Sequence, residues 1–141
     1  MADEIVVHTK HGDLTLDQLA EIQPGMSRLM AELASRFTVM VHAGRGGNWA
    51  LAHFQFRQAR SLFKIMATVR PKYAEALQAY EQDFMAPVEE AIKAKDVTAL
   101  NAAADRAGQE SDAVHARLGY PYIRYRIPQH PPEHLDLTEA G

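Results

Sequence analysis

From Met26 onward, apolar side chains recur with a helical period. Met26, Leu29, Met30, Leu33, Phe37, Met40 and Val41 follow one another at steps of 3, 1, 3, 4, 3 and 1. That is the stripe of an amphipathic helix, and it predicts a first helix from about Met26 to Ala43. The run Gly44-Arg45-Gly46-Gly47 is expected to end it, because glycine loses the most backbone entropy on ordering. Asn48 is placed to cap a second helix, in which Ala52, Phe56, Ala59, Phe63 and Met66 repeat at steps of 4, 3, 4 and 3. Arg70-Pro71 marks its end, since a residue before proline is pushed out of the α region.

A third pattern, from about Pro71 to Lys95, lines up Tyr73, Leu77, Tyr80, Phe84, Val88 and Ile92 on one face. Pro87 removes a backbone donor inside it, which predicts a kink. Asp96 is placed to cap a fourth helix reaching about Leu118, where Gly119 stops it. Ahead of these helices, residues 1–25 form an arm. Its β-branched stretch Glu4 to Thr9 precedes a turn signal, His11-Gly12-Asp13, and Thr15 can cap a short helix that Pro24-Gly25 ends. Residues 120–141 contain four prolines and read as an extended tail packed on the helices. The expected fold is all-α: an antiparallel up-down-up-down four-helix bundle over 26–119, with an N-terminal arm and an extended C-terminal tail.

Composition narrows the function. The chain of 141 residues, 47% hydrophobic and 23% charged, fits one globular domain. A net charge of −3, with scattered arginines, argues against nucleic acid as a partner. No apolar run approaches the roughly 20 residues that span a bilayer, so no membrane partner is expected. There is no cysteine, which excludes disulfides, thiolate nucleophiles and cysteine-ligated metals. Met1-Ala2-Asp3-Glu4 is acidic and leads into no apolar segment, so the expected location is cytoplasmic, or periplasmic if a leader has been removed.

The chemistry concentrates near the end of the fourth helix. Ser111-Asp112-Ala113-Val114-His115 has the spacing of a c-type haem attachment site, with Ser111 and Val114 at the two cysteine positions. It is followed by Gly119-Tyr120-Pro121-Tyr122-Ile123-Arg124-Tyr125. Four helices with such a motif in the last one resemble the cytochrome c prime and cytochrome b-type bundles, over roughly Pro24 to Pro132. The resemblance implies a haem-protein scaffold in which His115 alone carries over as a functional residue. Covalent haem is excluded, because thioether attachment needs two sulfur nucleophiles.

The same helix carries small residues on its core side: Ala103, Ala104, Ala107, Gly108 and Ser111. They permit either close helix packing or room for a planar ligand. The expected function is accordingly a non-enzymatic protein that binds a small apolar or planar ligand between the first and fourth helices. Met26, Met30, Ala107, Ser111 and His115 would line the pocket, with Tyr122 nearby.

An alternative is a b-type protein binding haem non-covalently through His115 and Met26 or Met30, for electron transfer or haem sensing. The b-type bundles resembled here place methionine on the first helix and histidine on the last. In this chain His115 lies about 5 Å from the end of its helix. A third reading is a structural or interaction bundle, with Phe54 and Val39 on a second face favouring a homodimer. The tyrosine-rich strip after Gly119 is a further candidate contact.

No catalytic residue is indicated. The serines lack a nucleophile-elbow context, and Gly44 to Gly47 lacks the flanks of a phosphate loop. His42 and His53, with Glu89, Glu90 or Asp96, are conceivable ligands of a transition metal, but these residues form no His-x-x-x-His or Glu-x-x-His pair.

Overall fold

The computed structural model describes residues 4–139. Met1, Ala2 and Asp3, which entered the reading of the N-terminus, and the last two residues lie outside the described residues. The chain is helical throughout its body. The arm adds a small antiparallel sheet, so the all-α expectation holds with that exception.

Strands β1 (Val6–Thr9) and β2 (Gly12–Thr15) form a hairpin, with Val6 opposite Thr15 and Thr9 opposite Gly12. Thr15 then starts α1 (Leu16–Glu21) through a capping box: its side chain accepts from the Gln18 N–H, while Gln18 Oε1 accepts from the Thr15 N–H. α2 (Met26–Gly46), α3 (Trp49–Val69), α4 (Ala74–Tyr80), α5 (Ala86–Ala94) and α6 (Val97–Arg117) follow. Asn48 caps α3 by accepting from the Leu51 N–H at 3.1 Å. Asp96 caps α6 by accepting from the Ala99 N–H at 2.9 Å.

The first helix runs three residues beyond the expected stop at Ala43. Gly44 and Gly46 are helical, and only Gly47 turns left-handed, with φ of 90°. The reason is packing. A methyl group at Gly44 would collide with Leu100 of α6 and stand 3.1 Å from the Trp49 ring, and one at Gly46 would collide with the Leu137 carbonyl of the tail. These two glycines let other parts of the chain approach α2.

The third pattern is also more structured than expected. A 3-10 turn (Pro71–Tyr73) leads into α4, and a π-helical segment (Glu81–Met85) joins α4 to α5. Pro87 stands at the start of α5 and offers no N–H to the turn before it. The backbone answers by widening, and the Ala86 N–H bonds to the Glu81 carbonyl. The expected disruption at Pro87 takes the form of this π turn.

α2 packs along α3, α3 also meets α4 and α5, and α6 meets α5, the π segment and α2. The core between them holds Met40, Val41, Ala52, Met66, Val88, Leu100 and Ala104, all fully buried. Val39, expected on an outer face, is buried at 4% exposure, whereas Phe54 is 43% exposed. Gln55 is buried too, and accepts from Arg36 Nη1 at 3.0 Å across α2 and α3.

Candidate functional site: a cleft beside the π turn

The groove between α2 and α6, where the sequence placed a pocket, holds the tail. Tyr125 lies in it. Its ring meets Phe37 edge-on at 5.8 Å and rests 3.9 Å from where a side chain on Gly108 would begin. Thr38 donates its hydroxyl proton to the Ala34 carbonyl at 2.8 Å, so the Tyr125 hydroxyl is the donor in their 2.6 Å contact. The Tyr125 N–H donates to Asp112 at 2.8 Å. Further along, buried His42 donates from Nε2 to the Pro128 carbonyl at 2.8 Å, and Asn48 donates to the Asp136 carbonyl at 3.0 Å. Thr138 bridges to Gly47.

The individual candidates fall as follows. Ala107 is fully buried, and its carbonyl accepts from the Tyr80 hydroxyl at 2.7 Å. Ser111 and His115 are half-buried and lie together: His115 donates from Nδ1 to the Ser111 carbonyl at 2.7 Å. Met26 and Met30 are half-buried and pack on the core. Tyr122 is 73% exposed and meets Tyr120 edge-on. Of the small residues of α6, Ala107 is thus met by Tyr80 and Gly108 by Tyr125.

Asp112 anchors the tail electrostatically. Burial opposes its ionisation, but hydrogen bonds from Arg126 at 2.7 Å and from the Tyr125 N–H outweigh it and hold the carboxyl below its ordinary value of 3.8. The unfolded chain therefore takes up this proton more readily than the folded one. The anchor is fully present above the ordinary value and is lost as pH falls below it, through the lowered one. The Tyr125 ring signals are expected to shift over that acid range in NMR, and Asp112→Asn to abolish the step. A step that survives in the variant would assign the titration elsewhere.

A cleft lies on the other side of α6. It has a volume of about 220 Å³ and is lined by Ala76, Ala79, Tyr80 and Phe84 from α4 and the π segment, and by Val114 and Leu118 from α6 and its end. Asp83, Glu110 and Arg117 add charge, with Glu110 and Arg117 paired at 2.8 Å. Of its lining residues, Tyr80 and Phe84 belong to an aromatic ladder. Phe63 stacks on Tyr80 at 5.7 Å, Tyr80 stacks on Phe84 at 5.6 Å, and the Arg106 guanidinium lies over Phe84. Burial foremost, then Glu110 and Asp112, pushes the Tyr80 hydroxyl well above its ordinary range, so it stays protonated. Sequence reasoning assigned Tyr80 and Phe84 to the core stripe alone. The available signal was an aromatic pair four residues apart, followed by Pro87.

A second, more open depression of about 320 Å³ is lined by Trp49, Ala50, His53, Ile92, Lys93 and Lys95. His53 faces this depression while His42 holds the tail. Among the described residues, no group of three or more histidines and carboxylates is arranged to hold a metal ion. Nor is any described helix long and apolar enough to cross a membrane. Comparison with protein-family models, with curated proteins and with solved structures finds no match to this chain.

Proposed function

We propose that this chain is a non-enzymatic protein that binds a small, flat, largely apolar molecule. Its frame is an antiparallel up-down-up-down four-helix bundle of the cytochrome c prime kind, working without haem. Two contacts support that topology. Leu100, early in α6, lies against Gly44, late in α2, while Gly108 lies by way of Tyr125 against Phe37 and Thr38. Ascending α6 is descending α2.

The observation that carries the binding role is the open cleft lined by Tyr80 and Phe84. Aromatic and alanine side chains make its wall with few polar demands, which suits an aromatic or alicyclic ligand. A volume of about 220 Å³ lies below the range of roughly 300–1,000 Å³ typical of drug-sized ligands, so the ligand is of single-ring or fused-ring size. The Tyr80 hydroxyl is committed to the Ala107 carbonyl and so is not free to bond a ligand in the cleft. The residues do not fit a haem between α2 and α6, because Tyr125 occupies the groove.

The test is a fragment titration with indole and cyclohexanol, followed by amide chemical shifts. Shifts are expected at Tyr80, Phe84 and Val114, and Ala79→Trp, at an exposed position, is expected to weaken binding at least about tenfold by filling the cleft. Shifts centred on Met30, Ser111 and His115, or no saturable shift at all, would overturn the proposal.

A further inference from the structure

Among the described residues, one side chain sits on a left-handed backbone. Gly12, Gly47 and Gly119 have positive φ, and so does Lys95, with φ of 53° and ψ of 41° at the end of α5. The Lys95 N–H donates to the Ile92 carbonyl at 3.1 Å, and the Asp96 N–H to the Ala91 carbonyl at 3.0 Å. Helices that close in this way usually carry glycine at the left-handed position. Any Cβ there crowds the following carbonyl oxygen, and glycine avoids the strain. Within the protein, the lysine side chain offsets none of it. Among the described residues, its ammonium group makes neither an ion pair nor a side-chain hydrogen bond. Strained residues of this kind cluster at ligand clamps and active sites.

Lys95 lines the second depression, of about 320 Å³, together with Trp49, Ala50 and His53 from the start of α3 and Ile92 and Lys93 from the end of α5. Ile92 is buried, and Trp49 is half-buried and fixed. The six-membered ring of the indole lies 3.1 Å from where a side chain on Gly44 would begin, at the crossing of α2 and α6. The neighbouring charges are mostly committed. Lys93 donates to Glu89 at 2.7 Å, Glu89 also accepts from Arg60 at 2.9 Å, and the Asp96 carboxylate caps α6. That leaves the Lys95 ammonium free beside an indole and an aliphatic side chain.

We propose that this depression binds an aromatic monocarboxylate, its ring against Trp49 and Ile92 and its carboxylate on Lys95. One unpaired ammonium matches one negative charge. A phosphate dianion would face the Glu89 carboxylate with only that cation unpaired, and would leave the apolar surface unused. The volume, near the lower end of the roughly 300–1,000 Å³ of ligand pockets, suits an acid of one or two rings. The site shares no residue with the cleft beside the π turn and does not depend on it.

Trp49 is the only tryptophan of the chain, so its emission reports this depression directly. Titration of the full chain with benzoate is expected to change that emission saturably. Benzyl alcohol, which keeps the ring, and inorganic phosphate, which keeps the charge, should each need at least about fivefold higher concentration. Lys95→Gly should raise the benzoate dissociation constant at least about fivefold, and Lys95→Arg should leave it within about twofold. Because glycine relieves the strained backbone, Lys95→Gly should also unfold at a higher temperature than the parent, which separates lost binding from lost folding. Amide shifts on adding benzoate should centre on Ala50, His53 and Lys95. No saturable change in emission, equal affinity in Lys95→Gly, equal binding of benzyl alcohol or phosphate, or shifts centred on Tyr80 and Phe84 would each overturn the proposal.

Discussion

Leu100→Ala is expected to lower the unfolding free energy by about 3 kcal/mol, because removing a fully buried leucine loses transfer energy and leaves a cavity. Leu100 is completely inaccessible and lies against the Gly44 backbone, at the crossing of α6 with α2. Gly44→Ala is expected to destabilise as well, by about 2 kcal/mol, since overpacking outweighs the gain in helix propensity. The two changes oppose each other in volume. In the double variant the new methyl group enters the space that Leu100 vacates, so the effects should fall short of additivity by at least about 1 kcal/mol. Urea unfolding of the four proteins measures this coupling. Strict additivity would show that the helices are not in register at this crossing.

Tyr125→Ala has the next largest expected effect, a loss of about 3 kcal/mol. The ring is the wedge between α2 and α6, and its removal takes away the contacts with Phe37 and Gly108 and the hydrogen bond to Thr38. Tyr125→Phe keeps the wedge and loses only the hydroxyl, so it should cost about 1 kcal/mol. The alanine variant should also free the tail beyond it. Limited proteolysis between Tyr125 and Pro132 should be faster in Tyr125→Ala and unchanged in Tyr125→Phe. Equal protection of all three proteins would place the hold on the tail at His42 and Asn48 instead.

The helical stripes were legible because burial and periodicity agree: Ala52, Phe56, Ala59, Phe63 and Met66 are all buried as their spacing implies. So were the caps Thr15, Asn48 and Asp96, whose short oxygen-bearing side chains leave few alternatives. The glycines of Gly44 to Gly47 misled because local entropy argues for a turn, while the deciding contact is with Leu100, 56 positions away in Arg45's partner helix, as the Arg45–Asn101 hydrogen bond also records. No local pattern encodes that meeting.

That the groove between α2 and α6 is filled was hidden for a related reason. Ala103, Ala104, Ala107 and Gly108 announce space, but small side chains do not say which neighbour fills it. Tyr125 and Tyr80 do, one from the tail and one from α4. The π segment was half legible, since Pro87 announced a missing donor without specifying how the backbone would accommodate it.

The wedge has a consequence for the order of events during synthesis. Every partner of Tyr125 and Pro128 in the helices precedes them in the chain, and Thr138 reaches back to Gly47. Helical pairs joined by short loops assemble from near neighbours and do so early. The seam between the first long helix and the last must wait until Tyr125, Pro128 and Thr138 have left the ribosome. A nascent chain arrested before Tyr125 therefore carries formed helices with one side unlatched. Emergence of the tail is the step that closes it.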